Sequence, residues 1–208
     1  MALEKVPIQL DREKLPAAVE VLDKAFLNDP FVSRLFPNRA ARPRQFSNTT
    51  MIALRYGLAY GEVQAVSPNL EGIAVWFPPG RTEPTAWDMM RFGMIFIPFS
   101  IGLRSTRMIL AYADHTIKMR KRLLRGPHWY LQFLGVDPRY RGAGYGSFLL
   151  KSMLARLDRE GVPCCLDTEN EKNVPLYEHF GFRVLESSEI PGTGSHCWFM
   201  AREAGAIM

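Results

Sequence analysis

Between Trp129 and Leu150 the chain reads W-Y-L-Q-F-L-G-V-D-P-R-Y-R-G-A-G-Y-G-S-F-L-L, and no other stretch limits the fold as much. Trp129 to Val136 is an apolar, aromatic-rich run with the character of a buried strand. Asp137-Pro138 ends it, and a basic, glycine-dense turn follows. From Gly144 to Glu160 the spacing of Phe148, Leu150, Leu154 and Leu157 predicts a helix capped by Gly161. A strand feeding a helix through small residues leaves backbone N–H groups without intrahelical partners. With the positive end of the helix dipole behind them, such donors suit phosphate. The candidate donors run through Gly142, Ala143, Gly144, Tyr145, Gly146 and Ser147, and the glycines allow a close approach. Arg139 and Arg141 add positive charge at the rim. The reading is a diphosphate-binding turn.

The kind of diphosphate follows by comparing signatures. The dinucleotide pattern G-x-G-x-x-G fails, because Ser147 stands where its third glycine belongs. The ATP-type P-loop fails for want of a Gly-Lys-Ser/Thr after the glycines. What fits is R-x-x-G-x-G (Arg139, Gly142, Gly144) between a strand and a helix. This resembles the coenzyme A pyrophosphate signature of the GNAT acetyltransferase superfamily. A second motif, N-V-P-L-Y-E-H-F-G-F (Asn173 to Phe182), resembles that family's short tyrosine-bearing helix and the Gly-Phe that leads into the next strand. Further segments resemble the puromycin N-acetyltransferase branch: Gly72 to Trp76, V-P-C-C-L-D-T, and P-G-T-G-S-H-C-W-F-M. The middle, Arg81 to Arg125, matches least.

The resemblance implies an α/β fold, with a mixed, mostly antiparallel sheet flanked by helices. It implies one domain over residues 1–208, with a helical, Met- and aromatic-rich insertion at about 84–125. It implies acetyl-coenzyme A as cofactor and transfer of acetyl to an amine by direct attack. Backbone groups of Leu134, Gly135 and Val136 would hold the pantetheine arm and thioester carbonyl. Tyr177 would protonate the leaving thiolate and lie against the cofactor. Asp167 would deprotonate the amine or hold its ammonium; a strand-end carboxylate bonded to nearby N–H groups is the other reading. Asn173 would touch the pantetheine arm, cap its own helix, or both. The expected acceptor is a small molecule, with a protein lysine or N-terminus, or a non-catalytic coenzyme A-binding module, as alternatives. Monomer and homodimer are both open.

At 208 residues, with 47% apolar and 23% charged side chains, the composition is that of an ordinary globular protein. The net charge of +5 suits an anionic ligand but does not select one. No basic block interleaved with aromatics suggests nucleic acid. The start, M-A-L-E-K-V-P-I-Q-L-D-R, carries charge where a signal peptide has its apolar core. The longest apolar run, Phe92 to Leu103, is broken by Pro98 and Ser100, and a span needs roughly 20 residues. No membrane partner and a cytoplasmic home are expected. Cys164, Cys165 and Cys197 form no disulfide framework, and no spacing of His, Cys, Asp or Glu suggests a metal.

Along the chain, helices are expected over Leu15–Leu27 and Arg42–Tyr60, with a short aromatic segment from Phe31 to Phe36 between them. Val6–Leu10, Gly61–Ser67, Gly72–Phe77, Val162–Thr168, a run opened by Gly181-Phe182, and Ser195–Arg202 read as strands. Pro84 to Arg125 reads as one helical stretch. Its large soft side chains are core or the roof of an acceptor pocket.

Overall fold

A computed structural model describes residues 6–206; the charged start, Met1 to Lys5, lies outside them. Seven strands form one sheet in the order β1-β2-β3-β4-β5-β7-β6. They are β1 (Ile8–Gln9), β2 (Glu62–Ala65), β3 (Gly72–Phe77), β4 (Trp129–Val136), β5 (Cys164–Thr168), β6 (Arg183–Ile190) and β7 (Ser195–Arg202). Neighbours are antiparallel except β4 and β5.

Side-chain alternation sorts the sheet into two faces. Ile73, Val75 and Phe77 of β3 pack with α1 (Leu15–Phe26), α3 (Arg42–Tyr60) and the end of α6 (Leu103–Leu123). Ala74 and Trp76 point the other way, onto α7 (Tyr145–Glu160) and α8 (Val174–His179). The same alternation puts Cys165 on the first face and Cys164 on the second, so these neighbours cannot pair; all three cysteines are free and buried. α1 lies tight on β4, since a Cβ added at Gly135 would stand 2.7 Å from Leu22 Cδ2.

Two segments differ from the sequence reading. Phe31 to Phe36 is mostly helical, as α2 (Pro30–Leu35), because Asp29 accepts from the amides of Phe31 (2.9 Å) and Val32 (3.3 Å) and Pro30 fits the first turn. The Asp-Pro pair therefore ends one helix and starts the next. The stretch after Pro84 is three helices: α4 (Ala86–Arg91), α5 (Ile97–Ile101) and α6. Gly93 (φ 73°) and Gly102 (φ 83°) break it with left-handed turns. Among the described residues, no helix is long and apolar enough to cross a membrane.

The centre of the sheet is split. β4 pairs with β5 only from Trp129 opposite Cys164 to Leu131 opposite Leu166. Beyond that, β4 stays with β3 as far as Val136, while β5 stays with β7 through Thr168. The register between β3 and β4 also slips there: Trp76 faces Leu131 and Val75 faces Phe133, leaving Gln132 as an extra residue. A bulge of this kind bends its strand. It sits where β4 leaves β5.

Candidate active site

The split opens a cavity of about 300 Å³. Leu131 to Leu134 line one side and Asp167 to Glu169 the other. Because the gap passes between two strands, side chains from both faces reach it: Tyr177 of α8 from one, Tyr112 of α6 from the other. Met94, Ile97 and Ile109 cover it from the helical stretch after Pro84.

The glycine-rich turn read above as a diphosphate site leads off from the far end of β4. Asp137 accepts from the Arg139 amide (2.9 Å), which starts a short 3-10 turn over Pro138–Tyr140. The same carboxylate is clasped by the Arg139 guanidinium, with Nη2 at 2.8 Å, and this holds the Asp137 carboxyl below its usual range. Arg141 donates to Ala25 O at 3.0 Å. Both arginines expected at the rim are thus anchored to the protein. Gly142 (φ 82°) and Gly144 (φ 81°) have left-handed backbones, and an added Cβ at either would meet nothing within 4 Å. Their glycine requirement is conformational, whereas Gly146 is helical and its added Cβ would sit at ordinary contact distance, 3.7 Å from Val136. Ala143 N bonds back to Tyr140 O at 3.3 Å. The amides of Gly142, Gly144, Tyr145, Gly146 and Ser147 have no protein acceptor among the described residues.

Tyr177 is buried, edge-on to Phe182 with ring centroids 5.9 Å apart, and its hydroxyl has no protein partner among the described residues. Burial, reinforced by the carboxylates of Glu169 and Asp167, pushes its pKa up, so the phenol keeps its proton. Asn173 does not cap α8; its Nδ2 donates to Thr168 Oγ1 at 3.3 Å, so the capping expectation is corrected. Thr168 lies at the end of β5, and that bond fixes Asn173 on the cavity wall instead.

Asp167 is bonded neither to backbone N–H groups nor to open space. It accepts from the hydroxyls of Tyr112 and of Tyr130 (2.8 Å), with Arg120 Nη1 at 4.0 Å, and its side chain is fully enclosed. Arg120 in turn stacks over the Tyr130 ring, 4.5 Å from its centroid. Burial raises the Asp167 pKa against these donors.

The open carboxylate is two residues on. Glu169 Oε1 is buried and has no hydrogen-bond partner among the described residues. Burial, then the charges of Asp167 and Asp29, hold its pKa well above the carboxylate range. Sequence reasoning missed Glu169. The signal was present in D-T-E, since residues two apart on a strand share a face.

Ligand atoms of Asp167, Glu169 and Cys197 also lie within 4.8 Å of one another, a grouping that no sequence spacing revealed. The donor set fits a metal poorly. Asp167 is occupied by phenols, and burial with two neighbouring carboxylates raises the Cys197 pKa, which keeps it a thiol.

A family model described as the Acetyltransferase (GNAT) family matches residues 80–182. An uncharacterized N-acetyltransferase of Schizosaccharomyces pombe is 30% identical over 123 residues, which is 57% of this chain and 50% of that protein. The match therefore spans about half the length of that relative. Among solved structures, a protein of Corynebacterium glutamicum described as a histone acetyltransferase and related acetyltransferase superposes with a TM-score of 0.68, at 20% identity and 98% coverage of both chains. Arylalkylamine N-acetyltransferase 2 of Aedes aegypti gives a TM-score of 0.63 at 12% identity, covering 96% of this chain and 98% of its own. At such identities the structural likeness shows the fold. The family match adds the turn, most of the cavity floor and α8, and on these grounds the chain belongs to the GNAT acetyltransferase superfamily.

Proposed function

We propose that the chain is an acetyl-coenzyme A-dependent N-acetyltransferase of a small amine, working by direct attack in a ternary complex. One observation carries the reading. The split between β4 and β5 places unpaired main-chain groups, the Tyr177 phenol and the Glu169 carboxylate around one cavity, and β4 leads on to a turn with five amides that have no protein acceptor among the described residues.

These residues fit the cofactor. Gly142, Gly144, Tyr145, Gly146 and Ser147 present N–H groups to the diphosphate, with the α7 dipole behind them. The edge of β4 from Leu134 through Val136, free of β5, holds the pantetheine arm and orients the carbonyl. A donor aimed at developing negative charge there contributes about 2.7–4 kcal/mol. Asn173, on the cavity wall, is placed to bond the same arm.

Acetyl-coenzyme A, when bound, supplies the acetyl thioester. Ionised Glu169 takes a proton from the ammonium and so frees the nitrogen lone pair. The C–N bond forms as the C–S bond breaks. Tyr177 gives its proton to the departing sulfur, and the proton then lost from nitrogen restores the phenol. Asp167 acts as a positioning residue, because it fixes Tyr112 and Tyr130 beside the cavity and balances Arg120. The base role expected of Asp167 passes to Glu169.

The cavity's volume of about 300 Å³, walled in part by Met94, Ile97 and Ile109, supports a small acceptor over a protein lysine. The amine acetyltransferase among the structural neighbours supports the same reading. Its test is thiol release from acetyl-coenzyme A over a panel of amines, including a puromycin-like aminonucleoside. Amine-dependent release is expected. Cofactor binding without release against any amine overturns the enzymatic reading.

A further inference from the structure

The cavity is divided in its chemistry. Asp29, Tyr112, Asp167, Glu169 and Tyr177 gather at one end, where their charges bear on one another. Val32, Leu35, Phe46, Ile97 and Ile109 wall the other and belong to a separate apolar cluster. Among the described residues no Lys, Arg or His lines the cavity.

We propose that the acceptor is a monoamine whose ammonium sits beside Glu169 and whose body is an uncharged aryl or alkyl group. The inference rests on the acetyl-transfer reading and narrows it. Among the described residues Glu169 Oε1 is a buried acceptor with no hydrogen-bond donor, and a donor on the bound amine would satisfy it. An ammonium supplies one, and its charge favours the ionised carboxylate that burial resists. Beyond it, Val32, Leu35, Phe46, Ile97 and Ile109 offer apolar contact, and the other polar lining groups, Thr49, Gln132, Thr168 and Asn173, are uncharged. An acceptor bearing a carboxylate or phosphate would bring a further negative charge among Asp29, Asp167 and Glu169, with no cation among the described lining residues and with Arg120 already set against Asp167. A second ammonium would be stripped of water against Leu35 and Phe46, where Asp29, at the start of α2, already accepts from two amides.

The experiment measures kcat/KM by thiol release with acetyl-coenzyme A for five acceptors. These are 2-phenylethylamine, hexylamine, 1,4-diaminobutane, phenylalanine and glucosamine 6-phosphate. The same acceptors are titrated calorimetrically into the protein with coenzyme A present. The two apolar monoamines should exceed the other three by about 100-fold or more. Glu169→Gln should weaken binding of 2-phenylethylamine. Ile97→Glu, which puts a carboxylate in the apolar end, should move preference toward 1,4-diaminobutane.

Equal or better turnover of phenylalanine, the diamine or the phosphorylated amine overturns the inference. So does silence of both monoamines in both assays. If the monoamines bind but no acceptor releases thiol, the assignment of the cavity stands and the acetyl-transfer reading falls. Failure of coenzyme A to bind would likewise strike that reading alone.

Discussion

The turn at residues 137–147, which follows the cavity-lining part of β4, and the roof, the helical stretch at residues 84–124 that lines the cavity, are built on opposite terms. The turn is a main-chain object: two left-handed glycines, a carboxylate clasping the next arginine, and five amides with no protein acceptor among the described residues. The roof is a side-chain object. Met94, Ile97 and Ile109 face inward, while Trp87, Met90, Phe96, Phe99 and Leu103 are exposed on the outside. Main-chain donors recognise a group that every acyl-coenzyme A shares. Side chains recognise shape and polarity, which vary with the acceptor. On the proposed function, selection of cofactor and selection of amine are separable, and substitutions can test the separation.

The largest effect falls where the two selections meet. Tyr177→Phe should fold, bind coenzyme A as the wild type does, and lose turnover by about 100-fold or more in steady-state thiol release. Full activity would remove Tyr177 from the proton path.

Glu169→Gln should cost about 100-fold in kcat/KM near neutral pH and also change the pH profile. In the wild type the raised pKa leaves the carboxyl protonated over more of the pH range, so the rate climbs with pH as it ionises. The variant should lose that limb. Stability runs the other way. The folded pKa lies above the unfolded value of about 4.3, so the folded state holds the proton longer and loses stability as pH rises between the two. Glu169→Gln should flatten that decline in urea titrations at several pH values. A variant with wild-type rate and pH profile would return the base assignment to Asp167.

A roof substitution should sharpen the division. Met94→Ala is expected to raise KM for an apolar amine by about tenfold with coenzyme A affinity unchanged. A matching loss of coenzyme A affinity would mean the regions are not separable. The smallest effect belongs to Gly146→Ala. Its helical backbone and the room for a Cβ predict a gain of roughly 0.5–1 kcal/mol in the ligand-free protein, read by urea unfolding.

The same contrast governs what the sequence discloses. Arg42–Tyr60, Gly72–Phe77, Trp129–Val136 and Ser195–Arg202 were readable to the residue, because periodicity and Gly or Pro punctuation agree at their ends. The glycine-rich turn was readable as a turn because its requirement is local: left-handed glycines at fixed spacing after a strand. The roof was not, because Gly93 and Gly102 interrupt a pattern that reads as helical throughout, and packing alone decides which of its side chains face inward. Asp167 was found as a strand-end acid, but its bonds to Tyr112 and Tyr130 come from elements far apart in sequence. Once those bonds occupy Asp167, Glu169 becomes the open carboxylate, and only the fold reveals that exchange.

Calorimetric titration of coenzyme A, with NAD and ATP as controls, tests the reading at its root. It is run on the wild type and on Gly144→Val, whose side chain the left-handed backbone disfavours. The wild type should bind coenzyme A and gain thermal stability from it, respond weakly to NAD and ATP, and lose the response to coenzyme A in Gly144→Val. No binding of coenzyme A to the wild type, or equal binding of NAD or ATP, would contradict it.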